Sequence, residues 1–360
     1  MMKYLLFLLS VFLLLSTGCA PEADTAVIGV KIYEHSGPYD RLFDRWEQMG
    51  INTAFSSENL ISDKDFMLEA REHGISTFVI FPVFFNPEAI AIDPGLAAIT
   101  RTGEVAAEEW VEFVCPSRED YRMELEEHAR KVIRDYQCDG ISIDFIRHFV
   151  YWEKVYPDRD PASLPVCCFD SVCLAHFQAE TGISIPAGLS STAEKARWIL
   201  DRHREDWTTW RCDLISSMAE TIAIAAREEK PDILVNIHLV PWGKEDFDGA
   251  IRHVAGQDIK TLSGFSDFLS PMTYAHMVKQ SPSWVHGLVE DMFMQTGATI
   301  LPSIQVGQAY LDTEFDPEEF RETLEAALLP PSAGVVIWSW DHLIAEPEKA
   351  DLFKDIVRAH

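Results

Sequence analysis

The feature that most constrains this chain is a rhythm. Eight short apolar runs rich in β-branched and aromatic residues recur from end to end: AVIGVKIYEH (26–35), INTAFSS (51–57), ISTFVIFPVFF (75–85), CDGISIDFIRH (138–148), DILVNIHLVPW (232–242), SDFLSPMTYAH (266–276), ATILPSIQVGQA (298–309) and AGVVIWSWDHL (333–343). Amphipathic stretches with helical spacing separate them, among them YDRLFDRWEQMG, SREDYRMELEEHARKVIRDY and DPEEFRETLEAAL. Strands alternating with helices imply a parallel sheet with crossover connections. Eight such units predict an α/β chain closed into a (β/α)8 TIM barrel, one domain over residues 26–360. An open doubly wound sheet is the competing architecture, but no glycine-rich phosphate loop follows the first run.

Two insertions break the rhythm, residues 86–115 after the third strand and 149–195 after the fourth. Both follow the C-terminal ends of strands, where barrel enzymes build their sites. Beyond the second insertion, EKARWILDRHREDWTTWRCDLISSMAETIAIAAREEK reads as one long helix leading to strand five.

The first twenty residues, MMKYLLFLLSVFLLLSTGCA, have one Lys, an apolar run and then Ser-Thr-Gly-Cys. That is the layout of a secretion signal with a small-residue cleavage site, and it resembles a lipoprotein leader in which Cys19 is lipidated. The expectation is an exported monomer, held at the bacterial cell envelope by that lipid alone. Acids outnumber bases 58 to 30, for a net charge of −28. A surface this negative repels phosphate backbones and anionic lipid, which argues against nucleic-acid partners. Six cysteines follow Cys19, too few for a disulfide framework in a chain of this length. The cluster CCFDSVC, with Cys167, Cys168 and Cys173, could form a local disulfide, a thiolate metal clip or buried thiols. No cofactor is implied.

If the barrel closes, the strand ends become walls of one pocket. DGISIDFIRH (139–148) delivers Asp144 from an apolar strand, followed by Arg147 and His148. The question is whether these form an active site or an ion pair holding a loop. Strand one brings Lys31, Tyr33 and Glu34; strand five His238 and Trp242; strand six Tyr274 and His276; strand seven Gln305; strand eight Trp338, Trp340 and Asp341. Aromatic faces stack on the apolar faces of sugars while amides and imidazoles bond hydroxyls, so Tyr33, Trp242, Tyr274, Trp338 and Trp340 fit a carbohydrate substrate. Arg147, His148, His238 and Gln305 supply the polar contacts. Glycoside cleavage needs two carboxyls. Asp144 is the first candidate; Asp341 is preferred as its partner, with Glu34 as a second choice and Glu153 as an outsider. Asp139, at the start of strand four, reads as structural.

At DGISIDFIRH the sequence resembles bacterial glycoside-hydrolase-like barrels with a strand-four signature DG-x-x-x-D-[YF]-x-R and a following Cys-rich segment, here CCFDSVCLAHFQAETGI (167–183). That resemblance implies a (β/α)8 barrel and a glycosidase. The family 18 chitinase-like pattern DG-x-D-x-D-x-E is not met, because Ser142 replaces its second Asp and Ile146 its final Glu. Two alternatives come from other classes. His238, His276 and Asp341 stand where amidohydrolase barrels place metal ligands, and a lipid-anchored protein could bind glycans without cutting them.

Overall fold

The computed structural model describes residues 26–360; the expected leader and Cys19 lie outside the described residues. The eight expected runs all form strands: β1 (Val27–Ile32), β2 (Thr53–Ser56), β3 (Ser76–Pro82), β4 (Gly140–Asp144), β5 (Leu234–Leu239), β6 (Phe268–Pro271), β7 (Ser303–Gln305) and β8 (Gly334–Trp338). All neighbours pair in parallel, in the order β6-β5-β4-β3-β2-β1-β8-β7. Parallel bridges Leu269↔Ile300 and Met272↔Ser303 join the two ends, so the sheet closes. This is the expected (β/α)8 barrel. Among the described residues no helix is long and apolar enough to cross a membrane.

Each strand follows the two-residue alternation of side chains, with one face toward the helices and one into the barrel. On β4, Ile141 and Ile143 face the helical layer, while Gly140, Ser142 and Asp144 point inward. The helices answer with one apolar stripe each: Tyr39–Met49 buries Leu42, Phe43, Trp46 and Met49, then stops at Gly50, whose φ of 79° is the left-handed cap that glycine takes without strain.

The inward residues stack in layers. The floor is apolar: Phe55, Phe78, Ile80, Leu301 and Val336 form their own buried cluster, with Phe55 and Phe78 stacked at 4.8 Å. Gly140 is required there, because a Cβ on it would lie 2.2 Å from the Phe78 ring. Above the floor runs a polar relay. Ser270 Oγ donates to Asn236 Oδ1 (2.7 Å), Asn236 Nδ2 to Ser142 Oγ (2.8 Å), and Ser142 Oγ meets His238 Nε2 (2.9 Å). Asp139 sits outside this stack, accepting from Thr77 N at 2.9 Å and facing Lys230 at 3.5 Å, a structural tie between strands as expected.

The expected single long helix is two: Thr192–Arg202, begun by a Ser191–Glu194 capping box, and Arg204–Glu229. His203 (φ −136°, ψ 33°) breaks them. Its ring packs on Trp198 and meets Asp206 at 3.1 Å, so local side-chain bonds take over where the spacing alone reads straight through.

Candidate active site

A cavity of about 600 Å³ opens at the C-terminal ends of the strands. Asp144 stands at its base, with Lys31 from β1, Arg147 and Glu153 from the segment after β4, and Tyr274 and Trp338 from the later strands. Asp144 is 7 % exposed, and its resolved hydrogen bond is from the Phe145 amide (2.7 Å). No cation lies within ion-pairing distance of it among the described residues. The choice posed by DGISIDFIRH is therefore answered against the brace. Arg147 Nη1 instead donates to the Val150 carbonyl (2.8 Å), and its guanidinium lies 4.5 Å over the Phe113 ring, while its Nε finds no partner.

Burial works to raise the Asp144 pKa, but the neighbouring His238 imidazole, Lys31, the Phe145 amide and Arg147 outweigh it and hold the carboxyl below its usual range. Glu153, on a single 3-10 turn (Trp152–Lys154), goes the other way. Its burial, reinforced by the Asp144 charge and only partly offset by Arg147, pushes it up to about 7. Its Oε2 has no hydrogen-bond partner. Burial likewise brings Lys31 down to about 8, against the pull of Asp144, and its Nζ lies 3.3 Å from Tyr274 Oη. His238, beneath them, is lowered to about 3 by burial and is neutral at ordinary pH. Ser142 Oγ thus bridges Asn236 Nδ2 and His238 Nε2, while His238 Nδ1 finds no hydrogen-bond partner.

The walls are aromatic. Tyr274 stacks on Trp338 at 4.9 Å and 14°, and Trp152 packs against Tyr274 at 5.7 Å. Tyr33, Trp110 and Tyr310 line the mouth with rings 38–41 % exposed. Trp110 Nε1 donates to Tyr151 Oη (3.1 Å). Trp110 comes from the first insertion, on a short hairpin of Ala107–Glu108 and Val111–Glu112, and Glu153 from the second.

Of the residues expected in the site, Asp144, Arg147, Tyr33, Tyr274 and Trp338 line this cavity. Seven do not. Asp341 is exposed on the first turn of the helix Trp340–Ala345, and Glu34 is exposed beyond the end of β1. Trp340 is buried against Trp46, edge to face at 5.7 Å, on the outside of the barrel. It does not join Trp338 in the pocket because β8 ends at Trp338, and the alternation of side chains ends with the strand. His148 fails similarly: β4 ends at Asp144, Phe145 turns the chain with φ 51°, and the His148 ring packs under Gly256, its Nε2 3.3 Å from the Arg211 carbonyl. Trp242 packs on Phe247 (5.5 Å) in a separate groove. Gln305 is spent on loops, accepting from Met277 N (2.8 Å) and donating to the Gly307 carbonyl (3.1 Å). His238 serves the relay under the cavity.

The metal alternative loses its ligands on the same evidence. His276 is bound to Glu319 (3.0 Å), His238 to Ser142, and Asp341 is exposed, so the three do not converge. A larger cleft, about 1060 Å³, lies away from the strand ends between the second insertion and the segment after β5, and none of the strand-end acids lines it. Sequence reading undervalued Glu153 and passed over Trp110 and Tyr310. Glu153 had a signal, an acid a few residues past a strand end; the other two had none before the insertions were placed.

A closed parallel barrel with ionisable groups gathered at its C-terminal mouth defines a (β/α)8 barrel of the architecture used by glycoside hydrolases. No protein-family model matches the sequence, and no curated protein is similar to it at a significant level. Solved structures are similar in fold. The PgaB (BpsB) glycoside hydrolase domain from Bordetella bronchiseptica superposes with a TM-score of 0.70 at 12% identity, covering 92% of this chain and 99% of that one. The β-galactosidase of the psychrophilic Marinomonas ef1 gives 0.68 at 13% identity, over 92% of this chain and 59% of its own. The spore cortex-lytic enzyme SleL of Bacillus megaterium QM B1551 gives 0.52 at 9% identity, over 93% and 75%.

Proposed function

We propose that this protein is a glycoside hydrolase in which Asp144 and Glu153 are the two catalytic carboxyls. The observation that carries the reading is one aromatic-walled cavity holding two buried acids whose pKa values are driven in opposite directions. Environments that separate two titratable groups in this way assign their roles. Glu153, protonated near neutral pH, donates to the departing glycosidic oxygen. Asp144, ionised, faces the sugar carbon as nucleophile or as the base for a water. Lys31, Arg147 and Tyr274 Oη are placed to bond hydroxyl or acidic substituents, and Trp338 and Trp110 offer stacking faces. The fold of the glycosidase neighbours supports this choice over the amidohydrolase alternative, whose ligand set is scattered.

The leader supports an exported protein anchored through Cys19, which would set the cavity before envelope or imported glycans. Release of a Cys19→Ala variant from the membrane fraction tests that part separately. For the catalytic reading, the full chain is incubated with a panel of oligosaccharides and reducing-end release is measured. The expected outcome is cleavage by wild type and its loss in Asp144→Asn and Glu153→Gln with folded circular dichroism spectra. Binding of a glycan by wild type without any release, or full activity in either variant, overturns it.

A further inference from the structure

We propose that Cys115, Cys168, Cys173 and Asp170 form a structural metal site, of the kind that takes Zn²⁺, which fastens the two insertions to each other behind the cavity. The four residues are buried, and one ligand atom from each lies within 4.8 Å of all the others. The Sγ atoms of Cys115 and Cys173 are 3.2 Å apart. Sulfurs around a tetrahedral zinc at about 2.3 Å stand about 3.8 Å from one another, so an opening of roughly 0.6 Å admits the ion. A disulfide between two of the three would leave the third thiol buried beside it. Three sulfurs meeting at one point is a donor set for a thiophilic ion.

Polar groups meet the sulfurs at hydrogen-bond distance. The Ile99 amide donates to Cys168 Sγ (3.1 Å), and Ser117 Oγ lies 3.1 Å from Cys173 Sγ. Asp170 caps the helix Ser171–Thr181 by accepting from Cys173 N (2.7 Å) and binds Arg118 (2.9 Å), which orients its carboxylate and leaves lone pairs free. Arg211 supplies an independent observation. It is fully buried, its Nη atoms donate only to the His253 and Val254 carbonyls, and no carboxylate pairs with it among the described residues. Of the cysteines near it, Cys167 and Cys212 act on it most strongly, and Cys173 and Cys168 after them. A buried guanidinium without a counter-ion is costly, and thiolates formed on metal binding would add negative charge beside it. On binding, each cysteine releases its proton to solvent as its Zn–S bond forms, and no redox partner is needed.

The site has a purpose that the spacing of CCFDSVC alone does not reveal. Cys115 ends the first insertion, a few residues after the hairpin that carries Trp110, whereas Cys168 and Cys173 belong to the second, which carries Glu153. Cys167 is outside the cluster, its backbone paired with Thr100. The test is elemental analysis of the purified full chain, before and after incubation with Zn²⁺ and removal of the excess. About one zinc per chain is expected in wild type and in Cys167→Ser, with loss of at least roughly nine-tenths of it in Cys168→Ser. Should Cys168→Ser not fold, cobalt substitution of wild type replaces that comparison, with thiolate-to-cobalt charge-transfer absorption as the expected result. Wild type that holds no zinc after reconstitution, whether as free thiols or as a mapped Cys115–Cys173 disulfide, overturns the proposal, as does cobalt bound without the charge-transfer band. Glycosidase activity is not the readout, so failure here is distinct from failure of the functional reading.

Discussion

The floor and the mouth of this barrel are built from the same strands, two to four residues apart, and obey opposite rules. On β4, Gly140 makes room for the Phe78 ring at the floor, whereas Asp144 at the mouth is a buried carboxylate with one amide donor. On β1, Gly29 faces Phe55 and Val336, while Lys31 is a buried amine brought down to about 8. The floor is closed by apolar packing. The mouth leaves charges buried and Glu153 Oε2 and Arg147 Nε without partners. A fold that could fill its mouth as it fills its floor has left it unfilled, and unsatisfied polar groups in a concave site are what a substrate can satisfy.

The largest expected effect falls at the mouth. Asp144→Asn should lower kcat by on the order of 10⁴, with little change in thermal midpoint, measured as initial rates on whichever glycan wild type cleaves. A drop of tenfold or less would mean that Asp144 only shapes the pocket. At the floor the reverse is expected: Phe78→Ala should cost about 3–5 kcal/mol in denaturant unfolding, with kcat per folded molecule unchanged. If that variant instead lost activity while keeping its stability, the division between the two layers would be artificial.

Glu153 tests the same contrast through pH. Its folded value is about 7 against 4.5 in the open chain, so the folded state resists ionising it. Stability from this group is full below pH 4.5, is lost between 4.5 and 7, and stays lost above that, a cost of about 3 kcal/mol. Glu153→Gln should therefore unfold later than wild type at pH 8 and at about the same point at pH 4. The activity profile of wild type should fall as pH rises through about 7, and the variant's residual activity should lack that limb. A wild-type profile flat through neutrality would remove Glu153 as the acid. The smallest effect belongs to Asp341→Asn, outside the cavity, which should change stability by no more than about 0.5 kcal/mol and leave activity as it was. Strong loss there would restore Asp341 as the partner carboxyl.

The sequence carried the barrel because the signals for it are local. Each strand announces itself by its own apolar run, each helix by its own stripe, and the number of units dictates closure. Asp144 was legible for the same reason: it sits on the inward face of a strand whose parity can be counted from Gly140. Counting failed where strands ended sooner than their apolar runs. Trp340, His148 and Trp242 lie past the last paired residue of β8, β4 and β5, and a turn there sends each side chain elsewhere. Glu153, Trp110 and Cys115 belong to insertions whose positions depend on contacts across tens of residues, which no local period encodes. The chain's own pattern thus determined the barrel and the acid at the end of its fourth strand. Only the tertiary structure decided which second carboxyl meets that acid, and which third cysteine meets the pair, because both depend on where two loops fold back over the mouth.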